Sequence, residues 1–141
     1  MTACIVPFEA WHADAVLPRL CAVHQERAEQ VAPVRDVLAA ALPASALVRT
    51  GLLHGAPECI MGMVLSPVAG HPWLLRTDEA TRQFRPLVRH CHAFIAECLA
   101  VRPVLRADVP PDDETLRHWL RWLGFRLLGT EGGLARWERT V

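Results

Sequence analysis

The sequence has no tyrosine and no lysine; all its basic side chains are arginine. Abundant alanine and arginine without lysine is the imprint of a GC-rich genome, so it reads as codon bias before physics. The missing tyrosine is a chemical fact, because no phenol exists anywhere in the chain to act as an acid. Fifteen basic and fifteen acidic residues cancel, and no basic run carries interleaved aromatics, so there is no electrostatic footprint for nucleic acid. No apolar run approaches the roughly 20 residues that span a bilayer. Met1 to Phe8 has no basic segment followed by an apolar one, so a soluble, non-secreted protein without a membrane partner is expected. Repeats, low-complexity tracts and linkers are absent as well.

What is present is a core. Hydrophobic residues make up 52% and charged residues 21% of the 141, enough to offset the entropy of ordering one domain, residues 1–141, but too short for two. The five cysteines, Cys4, Cys21, Cys59, Cys91 and Cys98, are odd in number and fall on apolar stretches. They read as reduced, buried small hydrophobes.

Thr2 to Phe8 suits a first strand. Trp11, Ala15, Leu17, Leu20 and Cys21 recur at helical spacing and predict a helix from about His12 to Val31, bent or started late by Pro18. Pro33 breaks it, and Val34 to Leu42 reads as a helix ended by Pro43. Ser45 to Leu53 and Cys59 to Leu65 form a hairpin about the turn His54-Gly55-Ala56-Pro57. A strand over His71 to Leu75 follows Gly70. Thr77 and Asp78 then cap a helix running to about Ala100, with Glu79 at its positive end. Its Phe84, Leu87, Val88, Cys91, Phe94 and Ile95 share one face, and Pro86 belongs near the first turn or at a kink.

A strand over Pro103 to Val109 is closed by Pro110-Pro111. Asp112 and Asp113 cap a last helix with Leu116, Trp119, Leu120 and Leu123 on its buried face and Gly124 at its end. Strands over Phe125 to Gly129 and Leu134 to Thr140 flank the turn Thr130-Glu131-Gly132-Gly133. These elements predict an α/β fold: a mixed, mostly antiparallel sheet of six to seven strands with helices on both faces.

This order, together with Trp119-Leu120-Arg121-Trp122-Leu123-Gly124-Phe125, resembles the GNAT acyltransferase superfamily over nearly the whole chain. In that family a helix after the fifth strand ends in a Leu-Gly-Phe-like signature. With Pro72-Trp73-Leu74-Leu75-Arg76-Thr77-Asp78-Glu79, the chain looks most similar to GNAT-like, virion-associated proteins of tailed bacteriophages. That resemblance implies a structural protein of the virion, passing through the host cytoplasm during assembly. Its expected partners are other phage structural proteins or copies of itself, so a homo-oligomer is implied. Trp122, Arg121 and Arg117 are its interface candidates, since exposed tryptophan beside arginine is typical of interface hot spots.

A GNAT enzyme binds the acetyl-CoA diphosphate on the backbone amides of a glycine-containing loop at a helix N-terminus. The corresponding segment here, Arg76, Thr77, Asp78, Glu79, Ala80 and Thr81, contains no glycine, and Asp78 and Glu79 oppose an anion. Arg76 and Arg82 read as ordinary solvated arginines. The tyrosine that the family commonly uses as general acid corresponds to Leu120, which has no proton to give.

The resemblance therefore implies a fold that has lost acetyl transfer, with no catalytic residue and no cofactor. The alternative is an acetyl-CoA-dependent N-acyltransferase acting on a small amine or a protein N-terminus. For that alternative Glu26, Glu58, Cys59 and His71 are the candidate groups, each more readily a surface or satisfied residue. His90-Cys91-His92 with Cys98 is not a metal site, because neighbouring helical residues point about 100° apart and the spacing of a zinc site is missing.

Overall fold

The computed structural model describes residues 2–22 and 33–141. These form a seven-stranded sheet in the order β1-β2-β3-β4-β5-β7-β6. The strands are β1 (Ala3–Pro7), β2 (Ser45–Leu53), β3 (Ala56–Leu65), β4 (Gly70–Arg76), β5 (Val104–Val109), β6 (Arg126–Glu131) and β7 (Leu134–Thr140). Neighbours pair antiparallel except β4 and β5, which run parallel. The mixed, mostly antiparallel sheet is as expected. Helices α1 (Ala10–Val16) and α2 (Val34–Ala44) pack on one face; α4 (Phe84–Val101) and α5 (Glu114–Trp122) pack on the other, with the short α3 (Asp78–Arg82) at the end of β4.

The two faces follow from period-2 alternation along a strand. On β3, Cys59, Met61 and Met63 enter the core with Leu87, Val88 and Phe94 of α4, while Ile60 joins Ala13, Val16 and Leu38 on the opposite side. The stripe read on α4 is the buried one. Two-residue turns with positive φ close both tight hairpins, His54-Gly55 between β2 and β3 and Gly132-Gly133 between β6 and β7. The Leu-Gly-Phe stretch ends α5 in a Schellman motif: Phe125 N–H donates to Leu120 O at 2.9 Å and Gly124 N–H to Arg121 O at 3.1 Å, with Gly124 at φ +87°.

Four boundaries differ from expectation. The first helix stops at Val16 and becomes a 3₁₀ turn, Leu17–Arg19, because Pro18 has no N–H to continue the ladder; its expected extension to Val31, and Glu26 on it, lie outside the described residues. α2 runs through Pro43 to Ala44, a proline tolerated in the last turn, where Ser45 Oγ donates to the Ala41 carbonyl at 2.7 Å. Strand β3 starts at Ala56, since Pro57 and Ala56 pair with Leu52 and Leu53. The helix expected over Asp78 to Ala100 is two, broken at Gln83 (φ −114°, ψ 40°). Pro86 accounts for the break, lying in the first turn of α4, where its missing N–H costs nothing.

Candidate functional site

Parallel β4 and β5 share one registered pair among the described residues, Gly70 with Leu105. Beyond it the strands diverge, and the gap opens into a cavity of about 480 Å³. Leu74, Leu75, Ala107 and Val109 line it from the two strands, Val37 and Ala41 of α2 from one face, and Ile95, Trp119 and Leu120 from the other. The lining is thus drawn from both sides of the sheet. Asp108 is the one charged residue in it, and its carboxylate accepts from Arg136 at 3.0 Å and 3.4 Å.

A buried polar cluster beside the lining, at the start of β3 and the end of β4, has the opposite chemistry. Arg76 is 3% exposed, which corrects the solvated arginine expected there. Its Nη2 donates to both Asp113 oxygens, at 2.9 and 3.2 Å, and its Nε donates to Thr81 Oγ1 at 3.0 Å. Asp113 also caps α5 by accepting from Leu116 N–H at 3.2 Å. This ion pair therefore ties the end of β4 to the start of α5, across the diverging strands. Beside it, buried Glu58 accepts from the Arg19 guanidinium and, at 3.4 Å, from the Thr77 hydroxyl. Thr77 Oγ1 in turn accepts from Ala80 N–H at 3.2 Å, so the N-terminus of α3 is capped by the chain itself.

The structure brings Glu58, Cys59, Arg76, Thr77, Asp78 and Glu79 together and leaves His71 apart. His71 opens β4, roughly 17 Å from Arg76 at strand rise, with its Nε2 2.9 Å from Ser66 Oγ. Glu58 is a satisfied structural carboxylate. The Cys59 thiol is pushed far above its ordinary range by burial and then by neighbouring Cys91, so it stays protonated and inert. Burial likewise pushes Cys91 and Cys98 up to about 12. His90 and His92 are exposed while Cys91 faces the core, as helical geometry requires. Glu79 is held below its ordinary value by hydrogen bonds from Arg82 and Gln83.

Sequence reading missed two features. Buried His12 accepts the Glu9 N–H at 2.9 Å and lies 2.8 Å from Thr50 Oγ1, so it serves as a helix cap. The indole Nε1 of Trp119, a buried residue in the cavity lining, has no partner among the described residues. The orphaned donor depends on tertiary packing, which no local pattern encodes. Of the interface candidates, Trp122 is 47% exposed and packs on Phe84 of α4, Arg121 lies over the Trp137 ring on β7, and Arg117 pairs with Glu114.

An acyl-CoA fits this site in part. The acyl-thioester arm matches an apolar slot between splayed strands. The diphosphate does not: Thr77 already caps α3, and the adjoining hollow sets Arg19 and Arg82, both already ion-paired, against Glu58, Asp78 and Glu79.

No family model and no curated protein sequence matches the chain. Solved structures do. The PaiA N-acetyltransferase of Thermoplasma acidophilum, in complex with coenzyme A, is 9% identical, with a TM-score of 0.71 and full coverage of both chains. The ribosomal-protein-S18-alanine N-acetyltransferase of Escherichia coli is 13% identical at TM-score 0.70, covering 99% of this chain and 94% of its own. The GNAT-superfamily phosphinothricin acetyltransferase of Sinorhizobium meliloti, in complex with AcCoA, is 13% identical at 0.67, covering 100% and 89%. The chain has the GNAT acetyltransferase fold; none of these neighbours is a virion protein, and the expected link to phage particles has no counterpart among them.

Proposed function

We propose that the chain is an N-acyltransferase that binds an acyl thioester in the β4–β5 cleft and passes the acyl group to a primary amine, on a small molecule or a protein N-terminus. The observation that carries this reading is the apolar cavity where parallel β4 and β5 part after the Gly70–Leu105 pair. In the reaction the amine nitrogen forms the amide bond to the carbonyl carbon as the C–S bond breaks. The electron pair leaves on sulfur, and the amine proton goes to water.

Leu120 stands where the family's tyrosine would protonate the sulfur. A thiolate whose conjugate acid has a pKa of about 8.5 leaves without that help near neutral pH. The contribution of this chain is then to hold the thioester and exclude water from it, so that rate comes from proximity.

A second reading keeps the fold without the chemistry. In it the protein is a virion-associated component that works bound to other phage proteins or to its own copies, with Trp122 as an exposed contact. The self-capped α3 and the apolar Leu120 favour the loss of chemistry in this reading, not its place in a particle. Titrating the full chain with acetyl-CoA and with short- and medium-chain acyl pantetheine thioesters, then incubating it with a panel of amines and detecting amide by mass spectrometry, separates the two. Acyl transfer from any donor supports the enzyme; absence of both binding and transfer with every donor at millimolar concentration overturns it.

A further inference from the structure

We propose, resting on the acyl-transfer reading, that the cleft is shaped for a medium-length acyl chain rather than for acetyl. Two observations converge on this.

The first is volume. An apolar cavity of about 150 Å³ is filled by a six-carbon ring, and this cleft offers about 480 Å³. Acetyl and the thioester sulfur would leave most of it empty, with wall atoms losing contacts on one side. On the same yardstick, about 25 Å³ per carbon, the cleft holds roughly nineteen carbon-sized atoms, room for a chain of about six to ten carbons beside the thioester end of the pantetheine arm.

The second is composition. Apart from Asp108, already paired with Arg136, the lining holds no charged residue among those described, so a polar ligand body would be desolvated without compensation. Walls on both sheet faces make the slot deep enough for an extended chain, with Leu74, Ile95 and Trp119 on one side and Val37, Leu38 and Ala41 on the other.

The test is isothermal titration of the full chain with acetyl, butyryl, octanoyl and dodecanoyl pantetheine thioesters, which carry no diphosphate. Affinity should rise about fourfold per added methylene, by on the order of a thousandfold or more over the six methylenes from acetyl to octanoyl, and stop rising at dodecanoyl. Acetyl binding as tightly as octanoyl would overturn the chain-length assignment and leave acyl transfer standing. No binding of any thioester would overturn acyl transfer itself.

One variant sharpens the result, with melting curves to confirm folding. Ala41→Leu, on the wall of the slot, should move the optimum to a shorter chain; an unmoved optimum places the chain elsewhere and overturns the proposal.

Discussion

Along the cleft walls Leu74, Ile95, Leu116 and Leu120 present hydrocarbon, whereas in the buried cluster beside them Arg76, Asp113 and Glu58 are charges taken out of water. The two regions are neighbours in space and obey different rules. A hydrocarbon wall answers to volume, so its energetics change gradually with each carbon. A buried ion pair answers to completeness, because either partner alone is a stranded charge.

The sharpest way to break the comparison is at the ion pair. Asp113→Ala strands Arg76 and removes the cap of α5, so chemical denaturation should show a loss of about 3–5 kcal/mol. Removing both charges, with Arg76→Met and the still-capping Asp113→Asn, should recover most of that loss. A double variant as unstable as the single one would mean that the ion pair is not the reason.

The next test is on the wall. Leu87→Ala, in the filled part of the core, should cost about 4 kcal/mol, and Ile95→Ala, on the same helix but facing the cavity, about 2 kcal/mol. Equal losses would show that the space beside Ile95 is filled in solution.

The smaller effects concern titration. A thiol reagent at pH 8 should label half-buried Cys4, while Cys59, Cys91 and Cys98, protonated because burial raises their pKa, should react only on unfolding. Rapid native labelling of Cys59 would contradict its burial. Smallest is the surface pair of Arg82 with Glu79. Because the folded pKa of Glu79 lies below its ordinary value near 4.5, its stabilising contribution is fully present above that pH and fades as pH falls through the lowered value. Arg82→Ala should flatten this acid-side dependence, as should high salt.

Much of this was legible in the sequence because it is local. The stripe on α4, the Schellman end of α5 at Gly124 and the glycine-free segment after β4 each follow from spacing or from one residue's stereochemistry. The burial of Arg76 was not legible, since its partner Asp113 lies 37 positions away and nothing near Arg76 signals it. The break at Gln83 was half legible: Pro86 announced a first turn or a kink, and only the packed structure shows that a new helix starts there. The cavity had no signature at all, because it arises where two strands part, and each strand alone reads as ordinary.

That parting has a mechanical consequence. The sheet is two antiparallel plates, β1 to β4 and β5 with β7 and β6, pinned by the Gly70–Leu105 rung. A Cβ on Gly70 would sit 2.4 Å from Met63 Sδ, on its own plate, and 3.0 Å from Leu105 Cδ2 across the rung. Glycine at that point lets the Leu105 side chain close over the rung. A side chain there would act as a wedge at the hinge of a compass, changing the span of its open legs from the far side of the sheet without touching whatever lies between them.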